Sequence, residues 1–277
     1  MSTVCPENLS SKSTFDDMRA KKSLGQHFLR SERALTAIVE AGKINKKDTA
    51  LEIGPGMGAL TRKLLETGAK VIAVEKDDEL FELLEQKFEK EIKDGKLELI
   101  RGDILEFDLS KLEARTYKLV ANIPYNITGV ILKKFLEADR QPKKMVLLVQ
   151  KEVAKRTVAQ DGKESILSIS VKTYGIPRYI ETVKAGSFVP MPKIDSAIIA
   201  IENISKQFFQ GFREDDFFKT LKTGFKSKRK KLSSNLSTKF PKDKVRETFQ
   251  KLNLDDNLRA EDVGIETWGK LVSALSS

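Results

Sequence analysis

The sequence predicts an α/β protein with a mostly parallel seven-stranded sheet, followed by a small all-helical domain. Three observations carry that expectation. Between residues 49 and 150, five short runs rich in β-branched residues alternate with segments of helical periodicity. The first of these runs passes directly into a glycine-rich turn and then a helix. After about Ser205 the strand signals stop, and only helical patterns remain.

In chain order, residues 1–20 are polar and hold no apolar stretch resembling a signal peptide, so a disordered tail and a cytoplasmic location are expected. The one cysteine, Cys5, falls in this tail, can form no internal disulfide and carries no catalytic implication. Strands are expected at 49–53, 70–75, 97–101, 118–121 and 145–150, with helices between them. A helix over 77–91 places Leu80, Leu83, Leu84 and Phe88 on one face, the spacing that covers a sheet. A further helix begins around Glu164. Two strands near 178–184 and 196–203 then complete the sheet, with one strand antiparallel. Beyond them, short helices are expected at 215–225, 242–252 and 266–275. A boundary at 204–207 thus divides a catalytic domain, 21–205, from a helical domain, 206–277.

A chain of 277 residues suffices for one domain of ordinary size and a smaller second one. Hydrophobic residues make up 40% and charged residues 32%, a globular balance, and no apolar run approaches the roughly 18 residues needed to cross a bilayer. No membrane and no metal is expected as a partner, and a monomer is expected. The formal charge is +10, of which +6 falls in residues 206–277, with the densest run at Lys226, Lys228, Arg229, Lys230 and Lys231. Clustered cations gain affinity for polyanions by releasing condensed counterions, so a nucleic acid is the natural partner; a solvated helix face is the competing reading.

The strand ending at Ile53 runs into Gly54-Pro55-Gly56-Met57-Gly58. Glycines there let the backbone turn sharply and approach a ligand with no Cβ in the way. Glu75 follows 21 residues after Gly54, at the end of the next strand, where a carboxylate can accept hydrogen bonds from ribose hydroxyls. A nucleoside-bearing cofactor follows, although Ala59 and Leu60 stand where a dinucleotide fingerprint would place its third glycine. Gly102-Asp103 and Asn122-Ile123-Pro124-Tyr125 lie at the carboxyl ends of the third and fourth strands, where open α/β sheets bind ligands. Asp103 can accept from an adenine amine. Asn122 and the Ile123 or Pro124 carbonyl can accept the two N–H bonds of a second amine, while Tyr125 packs on the ring that bears it.

Together, Leu24-Gly25-Gln26-His27-Phe28-Leu29, Glu52-Ile53-Gly54-Pro55-Gly56, Glu75, Gly102-Asp103, Asn122-Ile123-Pro124-Tyr125 and Phe188-Val189-Pro190-Met191-Pro192-Lys193-Ile194-Asp195-Ser196 resemble the KsgA family of ribosomal RNA adenine dimethyltransferases. The resemblance covers residues 21–203, and a basic helical tail follows as in that family. It implies a Rossmann-like methyltransferase fold, S-adenosyl-L-methionine as cofactor, and two adjacent adenines near the 3′ end of small-subunit rRNA, within a pre-30S particle, as substrate. It further implies that His27 and Leu29 contact the cofactor, with Gly54 beneath its methionine portion and Gly56 in the same turn, Glu75 on the ribose, Asp103 on the adenine, and Asn122 touching both cofactor and target amine. A related family that methylates large-subunit rRNA and confers antibiotic resistance shares most of these motifs, so the reaction is fixed more firmly than the target; a ribosome-assembly factor that acts chiefly by occupying the small subunit is the alternative from another class, and the intact Asn122-Ile123-Pro124-Tyr125 favours catalysis.

An adenine amine is a weak nucleophile because its lone pair is delocalised into the ring. Acceptors at Asn122 and the neighbouring carbonyl held by Pro124 would favour a pyramidal nitrogen and stabilise the positive charge that grows there, and no general base is required. Extruding the base costs a few kcal/mol. Stacking would offset this, with Tyr125 on one face and Phe188 on the other; Phe188 as ordinary core is the competing reading.

Overall fold

The computed structural model describes residues 26–112, 114 and 116–276. The tail 1–20, Cys5, and Leu24 and Gly25 of the first motif lie outside these residues. A two-residue strand, β1 (Phe28–Leu29), leads into α1 (Glu32–Gly42), whose first turn is capped by the Ser31 hydroxyl accepting from Ala34 N. The sheet then begins with β2 (Thr49–Ile53), α2 (Ala59–Glu66), β3 (Lys70–Glu75), α3 (Asp78–Lys87), α4 (Glu89–Lys93) and β4 (Leu97–Arg101). It continues through β5 (Lys118–Asn122), α5 (Thr128–Glu137), β6 (Lys144–Gln150), α6 (Lys151–Val158) and α7 (Ile166–Lys172). A long strand, β7 (Ile176–Val183), a two-residue strand, β8 (Phe188–Val189), and β9 (Ser196–Glu202) follow, and the chain ends in α8 (Glu214–Gly224), α9 (Leu232–Leu236), α10 (Lys242–Lys251) and α11 (Ile265–Ser276).

Seven strands form one sheet in the order β4-β3-β2-β5-β6-β9-β7, parallel from β4 through β6, with β9 antiparallel to both of its neighbours. The strand order reverses between β2 and β5, which opens a crevice at their carboxyl ends. Alternation along each strand sends side chains to opposite faces. Leu51, Ile72, Leu119 and Leu147 pack under α5 on one side, while Ala50, Val71, Val120 and Val146 meet α1 and α2 on the other. Because helices cover both faces, β3, β5 and β6 read as near-continuous apolar runs and β2 is broken only by Glu52, which is why the sequence located them within a residue or two.

The expected helix over 77–91 is interrupted at Phe88, where φ and ψ of −115° and 22° leave helical space and α3 gives way to α4. The Phe88 ring lies under the glycine turn: a Cβ on Gly58 would come within 2.6 Å of it, and φ at Gly58 is +77°. Leu83 is half-buried rather than part of the core that holds Leu80, Leu84 and Phe88. The sequence also gave no sign of α9 or of the separate two-stranded sheet in which β1 pairs antiparallel with β8, Phe28 opposite Val189 and Leu29 opposite Phe188.

No strand follows β9 among the described residues. α8 to α11 instead enclose a third core around Trp268, Phe217, Leu221 and Phe249, and Ile169 of α7 enters it from the sheet side. Tyr174, Phe208, Phe209, Phe212, Phe217 and Phe218 meet at that junction with ring centroids 5.2 to 6.2 Å apart. No helix among the described residues is long and apolar enough to cross a membrane, and no three His, Cys, Asp or Glu side chains there gather as a metal site.

Candidate active site

A cleft of about 290 Å³ opens at the carboxyl ends of β2, β3, β4 and β5, where the reversal of strand order places it. His27, Leu29, Gly54, Gly56, Glu75, Asp103, Asn122, Pro124 and Tyr125 all line it. The turn after β2 forms its floor. Gly54 has φ of +61°, and a Cβ built there would meet nothing within 4 Å, so the backbone faces open space that a ligand can occupy.

Glu75 is 5% exposed. Its Oε2 accepts from Gly56 N at 3.0 Å, and its Oε1 accepts from Lys76 N and Asp77 N, each at 2.9 Å. One carboxylate therefore fixes the glycine turn and the entry to α3, whose N-cap Asp77 in turn accepts from Glu79 N and Leu80 N. The sequence foresaw only a ligand contact for Glu75 at the end of its strand; the structure adds buried hydrogen bonds to the backbone. Burial pushes its carboxyl above the ordinary range, opposed by the three backbone N–H groups. Asp103 is held the other way. Lys76 Nζ, 2.7 Å away, and Leu105 N, at 2.8 Å, keep its carboxyl below the usual range.

Glu52 lines the same cleft and was given no role from the sequence. It is 1% exposed, with Oε2 accepting from the Thr61 hydroxyl at 2.7 Å. Burial pushes its carboxyl up to about 8, and the nearby Glu75 adds to the effect. In the unfolded chain this proton leaves near 4.5. Between those values the unfolded state binds fewer protons than the folded one, so this group lowers stability as pH rises. Glu52→Gln keeps an acceptor for Thr61 and removes the titration. It is expected to raise stability at pH 8 by on the order of a few kcal/mol and to do much less at pH 5. Urea unfolding at both pH values checks this; an equal effect at each would mean that Glu52 is ionised in the folded protein.

The segment before α1 closes the cleft from above. His27 Nδ1 donates to the Pro190 carbonyl at 2.7 Å, and its ring stacks on Tyr125 with centroids 5.9 Å apart and planes 22° from parallel. Tyr125 is anchored from behind by a 2.7 Å hydrogen bond between its hydroxyl and Ser196 Oγ at the start of β9. Asn122 Nδ2 donates to the His27 carbonyl at 3.0 Å, which fixes the amide's orientation and leaves Oδ1 uncommitted among the described residues. The Pro124 carbonyl accepts from Ile127 N at 3.2 Å and retains one lone pair.

Phe188 is the exception. It is 2% exposed, its backbone pairs with Leu29, and its ring joins the core beside Leu35 and Val183 instead of lining the cleft. In this arrangement the ring does not face the cleft, where the sequence expected it to stack on a base. The aromatic neighbour of Tyr125 is His27.

The model of the ribosomal RNA adenine dimethylase family matches residues 17–276. The ribosomal RNA small subunit methyltransferase A of Dehalococcoides mccartyi strain CBDB1 is 41% identical over 258 residues, covering 92% of this chain and 88% of that relative. The protein of the same name from Fusobacterium nucleatum is 37% identical over 260 residues, covering 92% and 97%. Among solved structures, a dimethyladenosine transferase from Plasmodium falciparum superposes with a TM-score of 0.76 at 27% identity over 88% of this chain and 96% of that one. The 23S rRNA methyltransferase ErmE superposes with a TM-score of 0.73 at 24% identity, covering 90% of this chain and all of that one, which establishes a shared fold. With a cleft at the strand reversal, the motifs gathered around it and a match running nearly end to end, the chain belongs to the ribosomal RNA adenine dimethylase family.

Proposed function

We propose that this chain transfers methyl groups from S-adenosylmethionine to the exocyclic amines of two adjacent adenines near the 3′ end of small-subunit rRNA, acting on a pre-30S particle in the cytoplasm. The observation that carries the reading is the tethered Asn122 amide, whose Nδ2 is occupied by the His27 carbonyl so that Oδ1 is the free acceptor in the cleft. The small-subunit target draws its support from the relatives at 37% to 41% identity that bear that name.

The residues present fit the cofactor. The open floor at Gly54 admits a ligand against bare backbone, and the cleft is close to the roughly 300 Å³ at which small-molecule sites begin. When bound, the cofactor supplies an activated methyl group. Gly54 and Gly56 hold its amino-acid end, Glu75 its ribose, and Asp103 its adenine, while His27 and Leu29 form the wall. The chain's own contribution to the transfer is mainly positioning. Asn122 Oδ1 accepts one N–H of the target amine and Tyr125 packs on its ring. A carbonyl held in place by Pro124 faces the same nitrogen and stabilises the charge that develops there.

Residues 206–277 act in this reading as a basic RNA-binding domain. Lys228, Arg229, Lys230 and Lys231 are exposed between α8 and α9 and make no ion pair among the described residues, the arrangement that suits phosphate contacts. Incubation with radiolabelled S-adenosylmethionine and either immature small subunits or large subunits tests the whole reading. Label is expected in small-subunit rRNA as dimethyladenosine. Label in large-subunit rRNA alone, or binding to small subunits without any transfer, overturns it.

A further inference from the structure

The loop between β8 and β9 presents an apolar tip beside the cleft. Phe188 and Pro192 are buried, whereas Val189, Pro190 and Met191 between them are exposed, Met191 at 69% of its full area. Ile194, on the far side of Pro192, adds a further exposed apolar side chain. The loop is tied down at both ends. Arg30 N donates to the Ser187 carbonyl at 2.8 Å, and Lys151 N donates to the Asp195 carbonyl at 3.0 Å. The Asp195 carboxylate accepts from Ala185 N and Lys184 Nζ, both at 3.1 Å. The Pro190 carbonyl, which receives the His27 hydrogen bond, immediately precedes Met191, so the exposed thioether stands one residue from an atom bonded to the cleft wall.

Cations flank this loop: Lys193 lies two residues beyond Met191, Lys184 pairs with Asp195 at the loop's foot, and Arg30 bonds through its backbone to Ser187. Arg30, Lys184 and Lys193 are exposed, and Arg30 and Lys193 make no ion pair among the described residues. An apolar, unbranched and polarisable side chain held out into water between free cations matches a base stack flanked by phosphates. We propose that Met191 is a wedge that enters the RNA stack beside the target, filling the space an adenine vacates when it swings into the cleft. This rests on the rRNA adenine reading above. Met191 is a positioning residue: it touches no reacting atom and acts by holding the stack open, so its effect appears only where a base must be extruded.

The test uses the full chain with immature small subunits, and with reconstituted subunits carrying 2-aminopurine at one of the two target positions, whose emission rises when that base leaves the stack. Met191→Ser is expected to slow single-turnover transfer by about ten- to a hundredfold and to remove most of the emission rise. Its S-adenosylmethionine affinity by calorimetry should match the parent, since the residue is exposed and lies outside the cleft. Met191→Leu should restore both signals. A Met191→Ser protein with the parental rate and emission rise overturns the wedge alone. A parent protein that binds the immature subunits with both adenines in place and transfers nothing to them overturns the rRNA reading, and the wedge with it.

Discussion

Asn122→Ala is expected to lower methyl transfer by about a hundredfold or more, the scale seen when one preorganised partner of a developing charge is removed. RNA affinity should stay close to the parent's, because binding is spread over many phosphate contacts while Asn122 acts on a single nitrogen. The structure adds a second consequence. The amide's donor half is bonded to the His27 carbonyl, so truncation also frees the segment that forms the cleft wall, and cofactor affinity should fall by a smaller factor. Single-turnover assays with mass-spectrometric counting of mono- and dimethyladenosine, run beside calorimetric titration, separate the two effects. A near-parental rate would remove Asn122 from the amine site.

Glu75→Ala is expected to weaken S-adenosylmethionine binding and to destabilise the fold together. Three backbone N–H groups lose their acceptor in a buried place, and leaving one such donor unsatisfied costs about 1–3 kcal/mol. Water entering the vacated space would recover part of that. Glu75→Gln retains a carbonyl acceptor for some of these donors and should recover more of the stability than of the cofactor affinity. Calorimetry and urea unfolding on both variants provide the check. Parental stability in Glu75→Ala would show the three hydrogen bonds to be dispensable, and a parental dissociation constant would take Glu75 out of the ribose site.

The parallel sheet and the cleft were legible in the sequence because both have local signatures. Strands buried on two faces read as near-continuous apolar runs, and Gly54, Asp103 and Asn122 each stand at the carboxyl end of a sheet strand, where this architecture collects ligands. The features that escaped depend on contacts between distant residues. β1 and β8 are two residues long and show no periodicity, so their pairing across 160 residues left no trace in either segment. That pairing buries Phe188, which by its motif alone belonged at the target base. The backbone duty of Glu75 depends on where the N–H groups of Gly56, Lys76 and Asp77 point, and the proton on Glu52 depends on burial, neither of which residue identity reports. The interruption at Phe88 coincides with the packing of its ring against the Gly58 turn, a contact made outside the helix that the helical spacing does not report.

The β1–β8 pairing also bears on how the protein is made. During synthesis the glycine turn and the first five sheet strands are complete by Gln150, yet the backbone of Phe28 and Leu29 has no strand to pair with until Phe188 and Val189 emerge some 40 residues later. Tyr125 likewise waits for Ser196 to hold its hydroxyl. A nascent chain can therefore assemble the floor of the cleft early, but its wall closes only when most of the polypeptide has left the ribosome. Contacts of such sequence separation form late and slowly. The growing chain thus cannot present a finished cleft until its sheet is all but complete.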